Sequence, residues 1–190
     1  YAKGVLDAAT IPALIGLARN RGIPVIVDPK KADAAAFAGA TILTPNADEM
    51  ARFAGMRIDS DAAAEKAGRR VLAAVPVDAV LITRGEHGMT LCRRDDPAFH
   101  VPAESRRVFD VTGAGDTVVA TLSAALAAGL AIEDAVRLAN AAAGVAVSKP
   151  GTATVSPAEL GHAVGAVATA NVMAPDAARE QVAAWRHQGL

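Results

Sequence analysis

The stretch Asp110-Val-Thr-Gly-Ala-Gly-Asp116 combines residue types that can do chemistry, because two glycines lie between two carboxylates just before an alanine-rich run. Glycine permits positive φ and a close approach of the backbone to a ligand, and the start of a helix presents N–H groups and the positive end of its dipole. A phosphate suits such a place. The sequence therefore predicts an anion cradle at Gly113, Ala114 and Gly115, beside a base, Asp116, that accepts a proton from an attacking hydroxyl.

Two motifs also have a purely structural interpretation. The glycine stretch could be an ordinary strand-to-helix loop with a capping aspartate. Asn46-Ala-Asp-Glu49 has the spacing of a capping box, in which Asn46 accepts from a first-turn amide and Glu49 reaches back to the cap. Capping and ligand binding can coexist in both motifs, so both interpretations stay open.

The elements that must position these residues alternate between strands and helices. We predict a first helix at Thr10 to Asn20, a strand at Pro24 to Val27, a short alanine helix, a strand at Thr41 to Thr44, a helix opened by Asn46, a helix from Asp59 or Ser60 to about Ala74, and a strand at Ala79 to Thr83. Two antiparallel strands follow within Gly88 to Pro102, then helices at Gly115 to Ala128 and Ile132 to Val147, a loop at Ser148 to Val155, and a helix with a capping box at Ser156. This alternation predicts an α/β fold with a doubly wound, mostly parallel sheet flanked by helices. Ligands of such sheets bind at the carboxyl ends of the strands, where Asp28, Asn46, Thr83 and Asp110 fall.

The run DVTGAGDT, followed by a small-residue helix, resembles the signature of ribokinase-like carbohydrate kinases. The resemblance implies that Asp116 is the catalytic base, that the amides before it form the anion hole, and that the cofactors are ATP and Mg²⁺. With Val27-Asp-Pro-Lys30, Ala40 to Asn46 and Gly151 to Pro157, the chain also resembles the kinase part of D-glycero-β-D-manno-heptose-7-phosphate kinases. That similarity implies phosphorylation of the anomeric hydroxyl of heptose 7-phosphate to the 1,7-bisphosphate, a step towards ADP-heptose and the lipopolysaccharide core.

The resemblance also assigns the nucleotide side of the site. Asn46 and Glu49 would hold magnesium through water, and Thr83 and Gly85 would line the ribose and phosphates, where a plain turn is the alternative. Arg84 and His87, in the same turn, are expected to be solvated.

A helix and a loop complete this predicted nucleotide site. Asn140 and Ala143 would border the adenine, although Asn140 could instead bond within its own helix or face solvent. Gly151 belongs to a loop that would close the nucleotide site and, with Asp110, bind a monovalent cation. Val155 stands where relatives can have a hydroxyl residue, which leaves that cation open.

The sugar side depends on fewer residues. Asp110, Lys3 and Lys30 are the predicted substrate contacts. The ammonium groups of the two lysines suit a phosphate, although exposed lysines are often only solvated. We expect residues 1–168 to be the C-terminal portion of a kinase domain whose N-terminal half and lid are absent. Residues 169–190 resemble a helical spacer that leads, in bifunctional relatives, to a nucleotidyltransferase domain absent from this chain.

Composition and charge argue against two classes of partner. The chain has 190 residues, 52% of them hydrophobic, with a formal net charge of −1, which gives no electrostatic reason to expect nucleic acid or an anionic membrane as partner. Cys92 is the single cysteine, which favours a reducing, cytoplasmic location.

The predicted partners are ATP and a phosphorylated sugar, and the protein is predicted to be a homodimer. The alternatives are a fructokinase or phosphofructokinase of the same family, or a non-catalytic nucleotide-binding or subunit-contact fragment.

Overall fold

A computed structural model describes residues 6–30, 33–104 and 108–165. The chain divides into two compact units, residues 1–155 and 156–190. The described part of the second unit contains helix α6 (Pro157–Ala163), which Ser156 and Glu159 open with the predicted capping box. Lys3 and the predicted spacer at residues 169–190 lie outside the described residues.

The first unit is an α/β sheet with helices on both faces. Its helices are α1 (Thr10–Arg19), α2 (Ala47–Ala54), α3 (Asp61–Ala74), α4 (Ala114–Ala127) and α5 (Ile132–Val147), and its strands are β1 (Ile26–Val27), β2 (Ile42–Leu43), β3 (Ala79–Thr83), β4 (Met89–Arg93) and β5 (Phe99–Val101). The predicted alanine helix is a 3-10 turn, Ala34–Phe37. No helix in the described ranges has both the length and the apolar character needed to cross a bilayer.

The five strands lie side by side in chain order. β1 pairs with β2 and β2 with β3 in parallel, whereas β3–β4 and β4–β5 are antiparallel. The predicted α/β class is therefore confirmed, with parallel pairing among β1 to β3 and the predicted antiparallel pair at the other side. The carboxyl ends of β1, β2 and β3 meet at one edge of the sheet, as parallel strands must.

Alternating strand residues fill two cores, because successive side chains point to opposite faces of a sheet. On one face, Leu43 and Val80 are fully buried with the apolar residues of α1, α2 and α3. On the other face, Ile42 and Leu81 pack with those of α4 and α5. Burying both faces fixes the register of the strands, and so fixes which residues reach the edge where they end.

Candidate active site

A cavity of about 270 Å³ lies at the carboxyl ends of the parallel strands, against the start of α4. It brings together residues that lie far apart in the sequence. The lining residues are Asp28, Lys30, Thr44, Asn46, Glu49, Thr83, Val111, Gly113, Gly115, Asp116 and Val118. Most of the predicted catalytic and metal-binding residues are among them.

The glycine motif forms the N-terminus of α4. Gly113 is the N-cap residue with φ of 82°, a left-handed conformation in which glycine avoids the strain of a Cβ. Its carbonyl accepts from both the amide and the hydroxyl of Thr117, each at 2.9 Å. Asp116 lies exposed in the first turn and lines the cavity. Gly113, Gly115 and the Asp116 carboxylate therefore lie on one wall of the cavity.

Ala114 differs from its two neighbours in the motif. Its N–H donates to the Val111 carbonyl at 3.2 Å, and Ala114 does not line the cavity. Gly115, one position further into the helix, does line the cavity. An anion in the cavity would therefore meet the amide of Gly115 more directly than that of Ala114.

Asn46 and Glu49 form the predicted capping box of α2. The Asn46 amide donates to Glu49 Oε2 and the Glu49 amide donates to Asn46 Oδ1, both at 2.8 Å. Glu49 is 5% exposed, while Asn46 is exposed. The box uses one oxygen of the buried carboxylate, and the other, Oε1, faces Lys30.

Lys30 places its ammonium between two carboxylates of the cavity. Its Nζ lies 3.0 Å from Asp28 Oδ2 and 3.7 Å from Glu49 Oε1. Lys30 is thus brought into the predicted site. Sequence reasoning placed Asp28 at the end of a strand but gave it no role. Its position directly after β1, beside a parallel neighbour, was the signal that could have found it.

The last residue of β3 lines the cavity, and the turn after it contains one incorrect prediction. Thr83 lines the cavity and its amide donates to the Pro45 carbonyl at 3.0 Å, whereas Gly85, with φ of 55°, lies outside the lining. His87 is exposed, as predicted. The prediction that Arg84 is solvated is wrong, because its side chain is 5% exposed and pairs with Asp61. A partner 23 residues away explains this burial.

Asn140 and Ala143 of α5 do not line the cavity. Asn140 is 7% exposed, and its Nδ2 donates to the Pro102 carbonyl at 2.9 Å. Neither of its predicted structural alternatives holds, since it bonds to the chain after β5 rather than to its own helix or to solvent. Ala143 packs half-buried against the core under α4 and α5.

Asp110 and Gly151 are close to each other but outside the cavity lining. Asp110 Oδ1 accepts from the Thr112 amide at 2.8 Å. The Thr112 hydroxyl and amide, with a smaller contribution from the Gly151 amide, hold the pKa of the Asp110 carboxyl below its usual value. The loop also reaches the glycine motif, since a Cβ on Gly113 would lie 3.4 Å from Thr152 Cγ2.

Comparison with known proteins identifies a family over most of the chain. A model of the pfkB family carbohydrate kinases matches residues 2–159. The chain is 47% identical over its whole length to the bifunctional protein HldE of Rhodospirillum rubrum, and 53% identical over 87% of its length to that of Halorhodospira halophila. These matches cover 39% and 34% of the two relatives, so the chain spans less than half the length of each.

Solved structures show the same fold. Phosphofructokinase-2 from Escherichia coli, in complex with substrates and products, matches with a TM-score of 0.73 and 21% identity, over 86% of this chain and 54% of that one. Ribokinase from Arabidopsis thaliana, complexed with ribose and ATP, matches with a TM-score of 0.67 and 26% identity, over 77% of this chain and 48% of that one. With the family match over most of its length, the chain belongs to the pfkB family of carbohydrate kinases.

Proposed function

We propose that this chain carries the nucleotide and catalytic side of an ATP-dependent kinase that phosphorylates the anomeric hydroxyl of D-glycero-D-manno-heptose 7-phosphate. The observation that carries the proposal is that one cavity holds Asp116, the start of α4 and the Asn46–Glu49 pair. The choice of heptose rests on the 47% identity to HldE, which exceeds the 21% identity to phosphofructokinase-2.

Asp116 acts as the general base. Asp116 lies in the first turn of α4, beside the amides of that turn. A sugar hydroxyl positioned there can give its proton to the Asp116 carboxylate while the hydroxyl oxygen attacks the γ-phosphorus in line. The Gly115 amide, with those of Asp116 and Ala114, stabilises charge on the transferred group. The Ala114 amide contributes least to this stabilisation, because its N–H already donates to the Val111 carbonyl.

The cavity residues fit a hydrated magnesium ion. Oxygen ligands suit this hard cation, which usually keeps several of its waters. Glu49 Oε1 is not used by the capping box, and the amide oxygen of Asn46 has a second lone pair. Asn46 and Glu49 would hold the ion through water, and when bound it would neutralise charge on the ATP phosphates. Thr83, which pairs with Asn46 in a parallel bridge, contacts the nucleotide beside them, and Gly85 belongs to the same nucleotide side.

The remaining predicted contacts are part of the same proposal. Asn140 and Ala143 border the adenine, Gly151 closes the nucleotide side, and Asp110 contributes to substrate or monovalent-cation binding. Lys3, outside the described residues, contacts the phosphate of the sugar. Lys30 was predicted to do the same, but it lies beside Asp28 and Glu49 in the cavity, so we assign it to the phosphates of ATP. A cytoplasmic homodimer completes the proposal, and light scattering of the purified protein tests the dimer.

A chimaera tests the activity, with this chain replacing the matching segment of the Rhodospirillum rubrum relative. We expect ATP-dependent conversion of heptose 7-phosphate to the bisphosphate. Asp116→Asn should lower kcat by about 10²-fold or more while ATP affinity changes little. Asp134→Asn, also an aspartate in the first turn of a helix, is the matched control and should leave kcat unchanged.

The assay separates this proposal from its alternatives. Normal turnover by Asp116→Asn in an active chimaera refutes the role of the base. Faster turnover with fructose or fructose 6-phosphate than with heptose 7-phosphate favours a fructokinase or phosphofructokinase. If the chimaera binds ATP but transfers no phosphate, whereas the unmodified relative does, the chain is a binding module and the catalytic proposal fails.

A further inference from the structure

The charge balance of the cavity is unusual for a site proposed to bind a polyphosphate. Three carboxylates, those of Asp28, Glu49 and Asp116, line it together with one ammonium, that of Lys30. ATP would therefore be repelled unless cations come with it. The position of Lys30 decides how those cations can enter.

The Lys30 ammonium lies next to the carboxylate oxygens that would bind a cation. Glu49 Oε2 is held by the Asn46 amide, so Oε1 is the oxygen left for a cation, and Lys30 Nζ lies 3.7 Å from it. The same Nζ lies 3.0 Å from Asp28 Oδ2. A buried carboxylate needs a compensating charge, and the Glu49 side chain is 7% exposed. The ammonium supplies that charge when no metal is bound.

We propose that Lys30 is the resident counter-ion of Asp28 and Glu49, and that a divalent cation must displace it. This inference rests on the proposed function. A free cation meets both the repulsion of the ammonium and the loss of its ion pairs, so it binds weakly. A cation that arrives with nucleotide brings phosphate oxygens to which the displaced ammonium can turn, because the Lys30 side chain is flexible and 33% exposed. The lysine thus favours entry of the metal–nucleotide complex over entry of the metal alone.

Calorimetry on the chain itself tests the proposal, with Mn²⁺ alone and with ATP plus Mg²⁺ as probes. Removing the ammonium without its bulk, in Lys30→Met, should tighten binding of Mn²⁺ alone by about tenfold, or about 1.4 kcal/mol. The same variant should weaken binding of ATP plus Mg²⁺ by about tenfold. Lys66→Met removes an exposed lysine of α3 outside the cavity lining and should change neither affinity.

Opposite signs for the two probes are the required result. Unchanged or weaker Mn²⁺ binding by Lys30→Met overturns the proposal, since a lysine that only supports the local structure would weaken both ligands. Lys30→Gln, neutral but able to donate to Asp28, should repeat the tighter Mn²⁺ binding if Lys30→Met does not fold. Failure of the unmodified chain to bind ATP would count against the proposed function, while the Mn²⁺ comparison would still decide the role of Lys30.

Discussion

Glu49 offers a way to separate capping from ligand binding, because each of its two oxygens has a different task. Oε2 accepts from the Asn46 amide at 2.8 Å, and Oε1 faces Lys30 and the cavity. Glu49→Ala removes both oxygens. Glu49→Gln keeps an oxygen that can complete the capping box and removes only the charge. The two variants should therefore differ in stability and agree in ligand binding.

The expected magnitudes follow from these contacts. Loss of a helix-capping interaction costs about 1 kcal/mol, and in Glu49→Ala the loss of buried side-chain atoms adds to it. For a chain of this size, 1 kcal/mol corresponds to about 2–4 °C in Tm. Glu49→Gln also loses the pair with half-exposed Lys30, worth at most about 1 kcal/mol. We expect Glu49→Ala to lower Tm by about 4 °C or more, and Glu49→Gln by about half of that.

Ligand binding should follow charge rather than stability. Both variants should weaken ATP binding in the presence of Mg²⁺ by about tenfold or more and reduce its dependence on Mg²⁺. Thermal unfolding and calorimetry on the same samples measure the two effects. Glu159 is a matched control, since it closes the same kind of capping box and does not line the cavity. Glu159→Ala should lower stability without changing ATP affinity. Unchanged, Mg²⁺-dependent ATP binding by Glu49→Gln would refute the metal role of this carboxylate.

Two further predictions concern the sheet behind the site. Gly88→Ala should lower the free energy of unfolding far more than Gly85→Ala. Both glycines have positive φ, but a Cβ on Gly88 would lie 2.0 Å from the Val101 carbonyl oxygen, while one on Gly85 meets no atom within 4 Å. We expect urea unfolding to show a loss of about 3 kcal/mol or more for Gly88→Ala and about 1 kcal/mol for Gly85→Ala, and equal losses would contradict the close approach. Burial raises the pKa of the Cys92 thiol from 9.0 to about 11. The unfolded state then releases its proton first as pH rises, so the free energy of unfolding should fall between pH 9 and 11. Cys92→Ala should lack this part of the decline, and an identical pH profile would count against a raised pKa.

Local signals in the sequence predicted the longer elements well. The apolar periodicity of α5 and the β-branched run of β3 gave both elements their observed bounds, and the capping motifs at Asn46 and Ser156 form as predicted. The first strand is shorter than predicted, Ile26–Val27, because Pro24 has no N–H for a ladder and the Val25 N–H donates to the Thr41 hydroxyl rather than to a backbone carbonyl. The short strands depend on pairing partners that a local pattern does not contain.

The site was predictable where one motif carries it and not where the fold assembles it. The glycine turn and its aspartate are recognisable within a motif of seven residues, 110–116. The burial of Arg84 depends on Asp61, and the position of Asn140 depends on the carbonyl of Pro102, 38 residues away. The contact of Lys30 with Glu49 likewise joins the end of one strand to the helix after the next. Such pairings follow from strand order and register rather than from any local spacing.

The central claim is that the cavity at the start of α4 binds the phosphates of ATP with a divalent cation. A crystal structure of the chain with a non-hydrolysable ATP analogue and Mn²⁺ tests it most directly, because anomalous scattering locates the metal. We predict the terminal phosphates at the Gly115 and Asp116 amides, the metal on the side of Asn46 and Glu49, and Lys30 turned from Glu49 towards phosphate. A nucleotide bound elsewhere, or phosphates directed away from the start of α4, would contradict the account.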